Sequence, residues 1–315
     1  MDEVTKVIEL YWLGTITEDY REGSVTFPFI DLAGNIRTVQ VKEFDPDNHT
    51  IGTDFLHSIQ EKNCIRNKEP LPDWLKAYAG NEKKVSCLFG EHLLKKFPFH
   101  PVALVEAPKT AVYGSLYFGL PEESSRNLIW LAVYNKSSFS FDKLNALQGR
   151  EVFIFPDLSK DGNTYKEWET KAGKIERELS GTSFIFSDLL ERCASEEDKN
   201  KGYDLADYLI QKDWRLFRKQ ILQIKTESHT EPENQNKAEY HSEKQVTVTK
   251  NQNDVISPIK TDETYNPAVK AEVIIGSHKK PDEKKNRKYS ESWSKEIQEL
   301  ENFFSATEIP DNSIQ

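Results

Sequence analysis

Four short, continuous apolar runs stand out along the chain: Val102-Ala103-Leu104-Val105, Leu128-Ile129-Trp130-Leu131-Ala132-Val133, Val152-Phe153-Ile154-Phe155 and Ser183-Phe184-Ile185-Phe186. Runs this short, rich in β-branched and aromatic residues, predict strands buried on both faces rather than helices. The segments between them carry helical patterning. A helix is expected over 86–96, ended by Phe97-Pro98, another over about 108–118 with Pro108 in its first turn, a short one over 142–147, and one over 165–179. Strands alternating with helices predict an α/β parallel sheet with right-handed crossovers. Ahead of it, Ser24–Ile30 and Ile36–Val41 read as two strands joined by the turn residues Asp31-Leu32-Ala33-Gly34-Asn35. This hairpin belongs to a small α+β segment over 1–85, and Pro28 predicts that its first strand is an edge. Pro70–Asp73 marks a loop, and 74–78 is too short to assign. A single helix over 204–219 is expected to close the fold, burying Leu205, Tyr208, Leu209, Trp214 and Phe217.

Composition changes the picture beyond that helix. Only 37% of the 315 residues are hydrophobic while 30% are charged, too few core formers for a chain folded throughout. The deficit concentrates in 221–290, which reads as a disordered linker between the α/β domain of 86–220 and a terminal amphipathic helix over 291–305. Trp293, Ile297, Leu300 and Phe304 form one stripe on that helix, a surface for a protein partner. The formal net charge of −10 gives no support to non-specific nucleic-acid binding, so such a partner must meet a local basic patch. Arg37, Lys42, Lys95 and Lys96 are candidates for one, with Tyr11, Trp12 and Phe29 as stacking residues unless these serve the core. A second basic cluster spans 278–288.

Cys64, Cys87 and Cys193 are far apart with no C-x-x-C spacing, so neither a zinc site nor a disulfide framework is expected, and a reducing cytoplasm fits. No signal sequence and no apolar stretch near the ~18 residues of a membrane span is present, so membrane insertion is not expected. P-loop, dinucleotide-fingerprint and zincin motifs are absent, which removes support for those enzyme classes.

The candidate chemistry lies at strand ends. The run from Val102 leads into Glu106, and the run from Val152 leads into Asp157. In a parallel sheet these ends share one edge, so the two carboxylates can meet and hold a divalent ion, with a separation under about 10 Å expected if one ion or its water shell bridges them. The plainer reading is that each caps a following helix. Pro108 opens a helix whose free N–H groups, beside Lys109 and Thr110, suit a phosphate. Asp204 and Asp207 read either as a third acidic element or as the cap and first turn of the last helix.

An apolar strand ending in Glu before a helix, followed by an apolar strand ending in Asp157-Leu158-Ser159-Lys160-Asp161-Gly162, resembles the Toprim domain of bacterial primases, type IA topoisomerases and related nucleases. The likeness covers about residues 86–215 and is nearest to Toprim-like proteins of bacterial mobile elements. It implies Glu106 as acid, base or metal ligand, Asp157 as a metal ligand and Lys109 as a phosphate contact, with Gly162 closing the second motif. It further implies Mg²⁺ or Mn²⁺ held among Glu106, Asp157, Ser159, Asp161 and Asp204, and DNA or RNA with nucleotides as partners. Ser159, a neutral ligand, stands where the family has its second Asp, and Pro108 stands where many relatives carry an acid. The implied function is primase-like nucleotidyl transfer in replication or mobilisation of a mobile element. The alternative is a non-catalytic accessory protein that keeps the fold and docks a helicase, relaxase or second copy through the stripe at Trp293–Phe304. A Toprim nuclease of the overcoming-lysogenisation-defect type would need a fused ATPase that this sequence lacks.

Overall fold

The computed structural model describes residues 2–18, 20–80 and 85–219. The linker of 221–290, the basic cluster of 278–288 and the helix of 291–305 with Trp293, Ile297, Leu300 and Phe304 lie outside the described residues.

Asp2 caps the first helix, α1 (Glu3–Tyr11), by accepting the Thr5 N–H at 2.8 Å. Strands β1 (Gly14–Thr15), β2 (Val25–Ile30), β3 (Ile36–Phe44) and β4 (Thr50–Phe55) then form an antiparallel sheet in sequential order, followed by helices α2 (Leu56–Asn67) and α3 (Asp73–Ala79). The β2–β3 hairpin closes at Asp31, whose side chain accepts the N–H groups of Ala33 and Asn35, both at 2.9 Å. Contrary to the expectation from Pro28, β2 is not the edge strand. It tolerates the proline because β1 pairs only with Val25 and Thr26, so at Pro28 the strand has one neighbour. Strand β4 is polar and shows no apolar alternation; pairing with β3 creates it.

The helix expected over 86–96 shrinks to α4 (Leu93–Lys96). Phe89 instead forms an antiparallel bridge with Ala132, and Gly90 adopts φ +79 where a Cβ would come within 2.9 Å of Leu131 and 3.0 Å of Tyr11. The α/β part then runs β5 (Val102–Val105), α5 (Pro108–Phe118), β6 (Ile129–Ala132), α6 (Phe141–Leu144), β7 (Glu151–Ile154), α7 (Asn163–Ile175), β8 (Ser183–Phe186), α8 (Leu189–Cys193), α9 (Glu196–Lys201) and α10 (Leu205–Leu209). Its four strands are all parallel in the order β6-β5-β7-β8, flanked by helices, and every residue of β5 and β6 is buried. The helix expected over 204–219 is broken. It stops after Leu209, and Asp213 starts a new helical stretch over 214–219 by accepting the Arg215 N–H at 2.7 Å.

One core serves both sheets. Tyr11 is fully buried, donates its hydroxyl hydrogen to the Trp130 carbonyl at 2.7 Å, and sits 2.7 Å from Ser115 Oγ. Phe89 stacks on Tyr11 at 4.9 Å and meets Phe27 and Phe29 edge-on at 5.9 and 5.7 Å. Tyr11 and Phe29 are therefore core residues rather than a stacking platform, while Trp12 is exposed. Among the described residues, no helix is long and apolar enough to cross a membrane.

Candidate functional site

Strands β5 and β7 are neighbours in register, Val102 opposite Val152 and Leu104 opposite Ile154, so their C-terminal ends open onto the same edge. Glu106 directly follows β5, and its carbonyl accepts the Tyr134 N–H at 3.0 Å, tying it to the chain leaving β6. Beyond β7, the Phe155 N–H still bonds the Leu104 carbonyl at 3.0 Å and the Leu158 N–H bonds the Tyr203 carbonyl at 2.9 Å. Asp157 is fixed between these two anchors, in the chain leaving the strand next to β5. Asp157 Oδ1 is sealed from solvent and has no hydrogen-bond partner.

Helix α5 brings the next residues in. Ala107 is its N-cap, with no side chain to satisfy the first N–H groups, and Pro108 occupies its first turn. Lys109 turns inward, its Nζ 3.1 Å from Asp207 Oδ1 and 3.4 Å from Asp204 Oδ2. Nζ also lies 3.4 Å from the carbonyl of Asn48 in the β3–β4 turn, and the Thr110 hydroxyl donates to Asp204 Oδ2 at 2.9 Å. Asp204 and Asp207 form a capping box on α10, each side chain accepting the other's backbone N–H, at 3.1 and 2.8 Å. The cap reading of these two residues and their place at the edge thus hold together.

Charges crowd this edge. Burial lifts the Asp157 carboxyl well above the usual carboxylate range, and the charges of Asp204 and Glu106 push it further while Lys109 pulls it back. Glu106 is raised by burial, opposed by the Lys136 N–H and the Lys136 and Lys42 ammoniums and reinforced by Asp204. Asp204 is raised by burial against the pull of Lys109. For Lys109 burial acts downward, but Asp204 and Asp207 outweigh it and raise its pKa. Lys42, projecting from β3, is lowered by burial and by Lys109 although Asp204, Asp157 and Glu106 all attract it. The antiparallel sheet therefore contributes a cation to the edge of the parallel one.

Of the residues singled out from sequence, Lys109 and Asp204 make direct contact, and Glu106 and Asp157 feel each other's charge and that of Asp204 across the same edge. Ser159 and Asp161 do not join them. The Ser159 hydroxyl accepts the Thr164 N–H at 2.8 Å at the start of α7, and Asp161 is exposed at φ +65 with its carbonyl accepting from Lys166 at 2.9 Å. Among the basic candidates Lys42 lies within electrostatic reach of the site, whereas Arg37 pairs with Asp31 at 3.7 Å and Lys96 with Glu122 at 2.6 Å. Asn48 had no sequence signal at all, since it arrives from a turn far along the chain. Glu106 and Asp157 supply hard oxygen donors, and the unpartnered Oδ1 of Asp157 suits a cation. Asp204 and Asp207 are already occupied by Lys109, and among the described residues no three His, Cys, Asp or Glu side chains converge closely enough to hold a metal ion. The fit to Mg²⁺ or Mn²⁺ is thus confined to Glu106 and Asp157.

The family model for a domain of unknown function, DUF6371, matches residues 1–158, a span that includes Glu106 and Asp157. No curated protein matches the chain. Among solved structures, the primase fragment of the bacteriophage T7 primase-helicase protein is similar with a TM-score of 0.33 and 13% identity, over 57% of this chain and 59% of that one. A DNA primase domain from Pseudomonas aeruginosa is similar with a TM-score of 0.28 and 14% identity, over 66% of this chain and 62% of that one. The chain thus covers less than two thirds of either structure.

Proposed function

We propose that this chain, which belongs to the DUF6371 family, is a primase-like protein that works on nucleic acid, taking a divalent cation and a nucleotide or backbone phosphate at the Glu106–Asp157 edge. The observation that carries this reading is the pair itself: two carboxylates just beyond the C-terminal ends of adjacent parallel strands, one with a buried oxygen lacking any donor. The order of the Toprim-like motifs supports it independently. A divalent ion held by Glu106 and Asp157 would polarise a phosphoryl oxygen and offset developing charge. The chain's own groups suit the rest of the chemistry. Glu106 is half-buried, and burial raises its pKa above the ordinary carboxylate value, the direction that suits a group exchanging a proton. Lys42 brings a positive charge to the same edge for a phosphate. The setting in replication or mobilisation of a mobile element rests on the sequence resemblance alone.

The accessory reading has one specific observation in its favour: Ser159 is spent on the start of α7 and Lys109 on two carboxylates, which leaves few free ligands. A template-dependent nucleotide incorporation assay with Mg²⁺ or Mn²⁺ separates the two. The catalytic reading expects incorporation by the wild type and a loss of about 10²-fold or more in Glu106→Gln, the scale of a lost acid or base. Nucleic-acid binding with no incorporation by either protein would establish the accessory role.

A further inference from the structure

Two of the four carboxylates at the edge already face a cation, and it is a side chain. The Lys109 ammonium is surrounded by three oxygens, Asp207 Oδ1 at 3.1 Å, Asp204 Oδ2 at 3.4 Å and the Asn48 carbonyl at 3.4 Å. The side chains of Lys109, Asp204 and Asp207 are only 10%, 9% and 11% exposed. These oxygens are held in place by groups other than Lys109: the α10 capping box fixes both carboxylates, the Thr110 hydroxyl fixes Asp204 Oδ2, and the β3–β4 turn presents Asn48. Carboxylate and carbonyl oxygens are the donors that hard divalent cations choose, and such ions need them at ~2.0–2.6 Å, a modest contraction from the present spacing. Asp157 contrasts with this pair, because its buried Oδ1 faces no donor.

We propose that Lys109 is the protein's built-in cation at Asp204 and Asp207: it fills the place of a second divalent ion, so the edge accepts at most one, at Glu106 and Asp157. This rests on the reading of that edge as a metal site, and it assigns Lys109 a structural charge rather than a direct contact with substrate phosphate.

The test counts Mn²⁺ ions bound to the full chain by equilibrium dialysis and electron paramagnetic resonance. Lys109→Met keeps most of the stem's volume and removes the charge, so it should bind one Mn²⁺ more than the wild type and gain more in melting temperature when Mn²⁺ is added. Lys109→Arg should bind the wild-type number. Lys109→Met/Asp207→Asn, which removes one carboxylate charge with the ammonium, should melt above Lys109→Met in the absence of metal and bind no extra ion. Two ions on the wild type, or no gain in Lys109→Met, would overturn the proposal. So would a Lys109→Met protein that stays unfolded in millimolar Mn²⁺ while the double variant folds, because the ion then fails to replace the ammonium. No ion on the wild type with one on Lys109→Met upholds the built-in cation and instead removes the metal reading of Glu106 and Asp157.

Discussion

A carboxylate with one oxygen sealed from water and offered no donor is costly to ionise, and Asp157 is in that position with Asp204 and Glu106 as like-charged neighbours. Its folded-state pKa is raised above the unfolded value, so between the two the folded protein keeps a proton that the unfolded chain has released. Stability from this group is therefore greatest below the unfolded pKa of ~3.9 and falls as pH rises toward the folded pKa. Asp157→Asn removes that loss. Without metal, its melting temperature should approach that of the wild type near pH 4 and exceed it as pH rises, the difference levelling off once the pH passes the folded pKa of Asp157. A difference that stays constant across this range in parallel thermal melts would show that Asp157 is not the strained ionisation described.

Helix α5 is the element that sets the site, because it carries Lys109 and Thr110 in its first turn and lies against β6 through Gly114. At Gly114 the helix backbone approaches the Trp130 ring so closely that a Cβ would overlap the ring atoms. The residue is glycine for close approach and not for turn geometry. Gly114→Ala should destabilise the protein by about 1–3 kcal/mol through overpacking, a fall of about 2–12 °C in melting temperature for a folded unit of this size. Calorimetry reads this directly, and an unchanged melting temperature would mean that α5 slides freely on β6. Trp130 is also held through its backbone, since its carbonyl accepts the Tyr11 hydroxyl of α1, which meets Ser115 of α5 as well.

At the scale of the molecule, the two sheets share a buried aromatic cluster of Tyr11, Phe27, Phe29 and Phe89, and Lys42 and Asn48 of the antiparallel sheet face the parallel sheet's edge. Neither sheet keeps its core if the other leaves. The described residues should consequently unfold in one step in urea, with tryptophan fluorescence and far-ultraviolet circular dichroism giving the same midpoint. The buried Trp130 and Trp168 report on the parallel sheet by fluorescence while circular dichroism reports on both sheets, so separate midpoints would count against a common core.

The sequence by itself determined the strands of the parallel sheet and the two acidic residues at their ends. A strand buried on both faces must be a continuous apolar run, and the first charged residue after it marks the edge; Val102–Val105 before Glu106 and the run from Val152 to Phe155 before Asp157 obey that rule. Asp204 and Asp207 were likewise legible as the start of a helix, because a cap depends on neighbours in the chain. Polar β4, the bridge at Phe89 and the break after Leu209 were not, since each is imposed by a partner distant in sequence or by one competing cap at Asp213. Only the tertiary structure decided which charges meet. Lys109 reaches Asp207 98 residues away and Asn48 61 residues away, and Lys42 faces Glu106 and Asp157 from a different sheet. Nothing local encodes these encounters: Coulomb attraction and the loss of water depend on distance in space, which the packing of one sheet on the other sets.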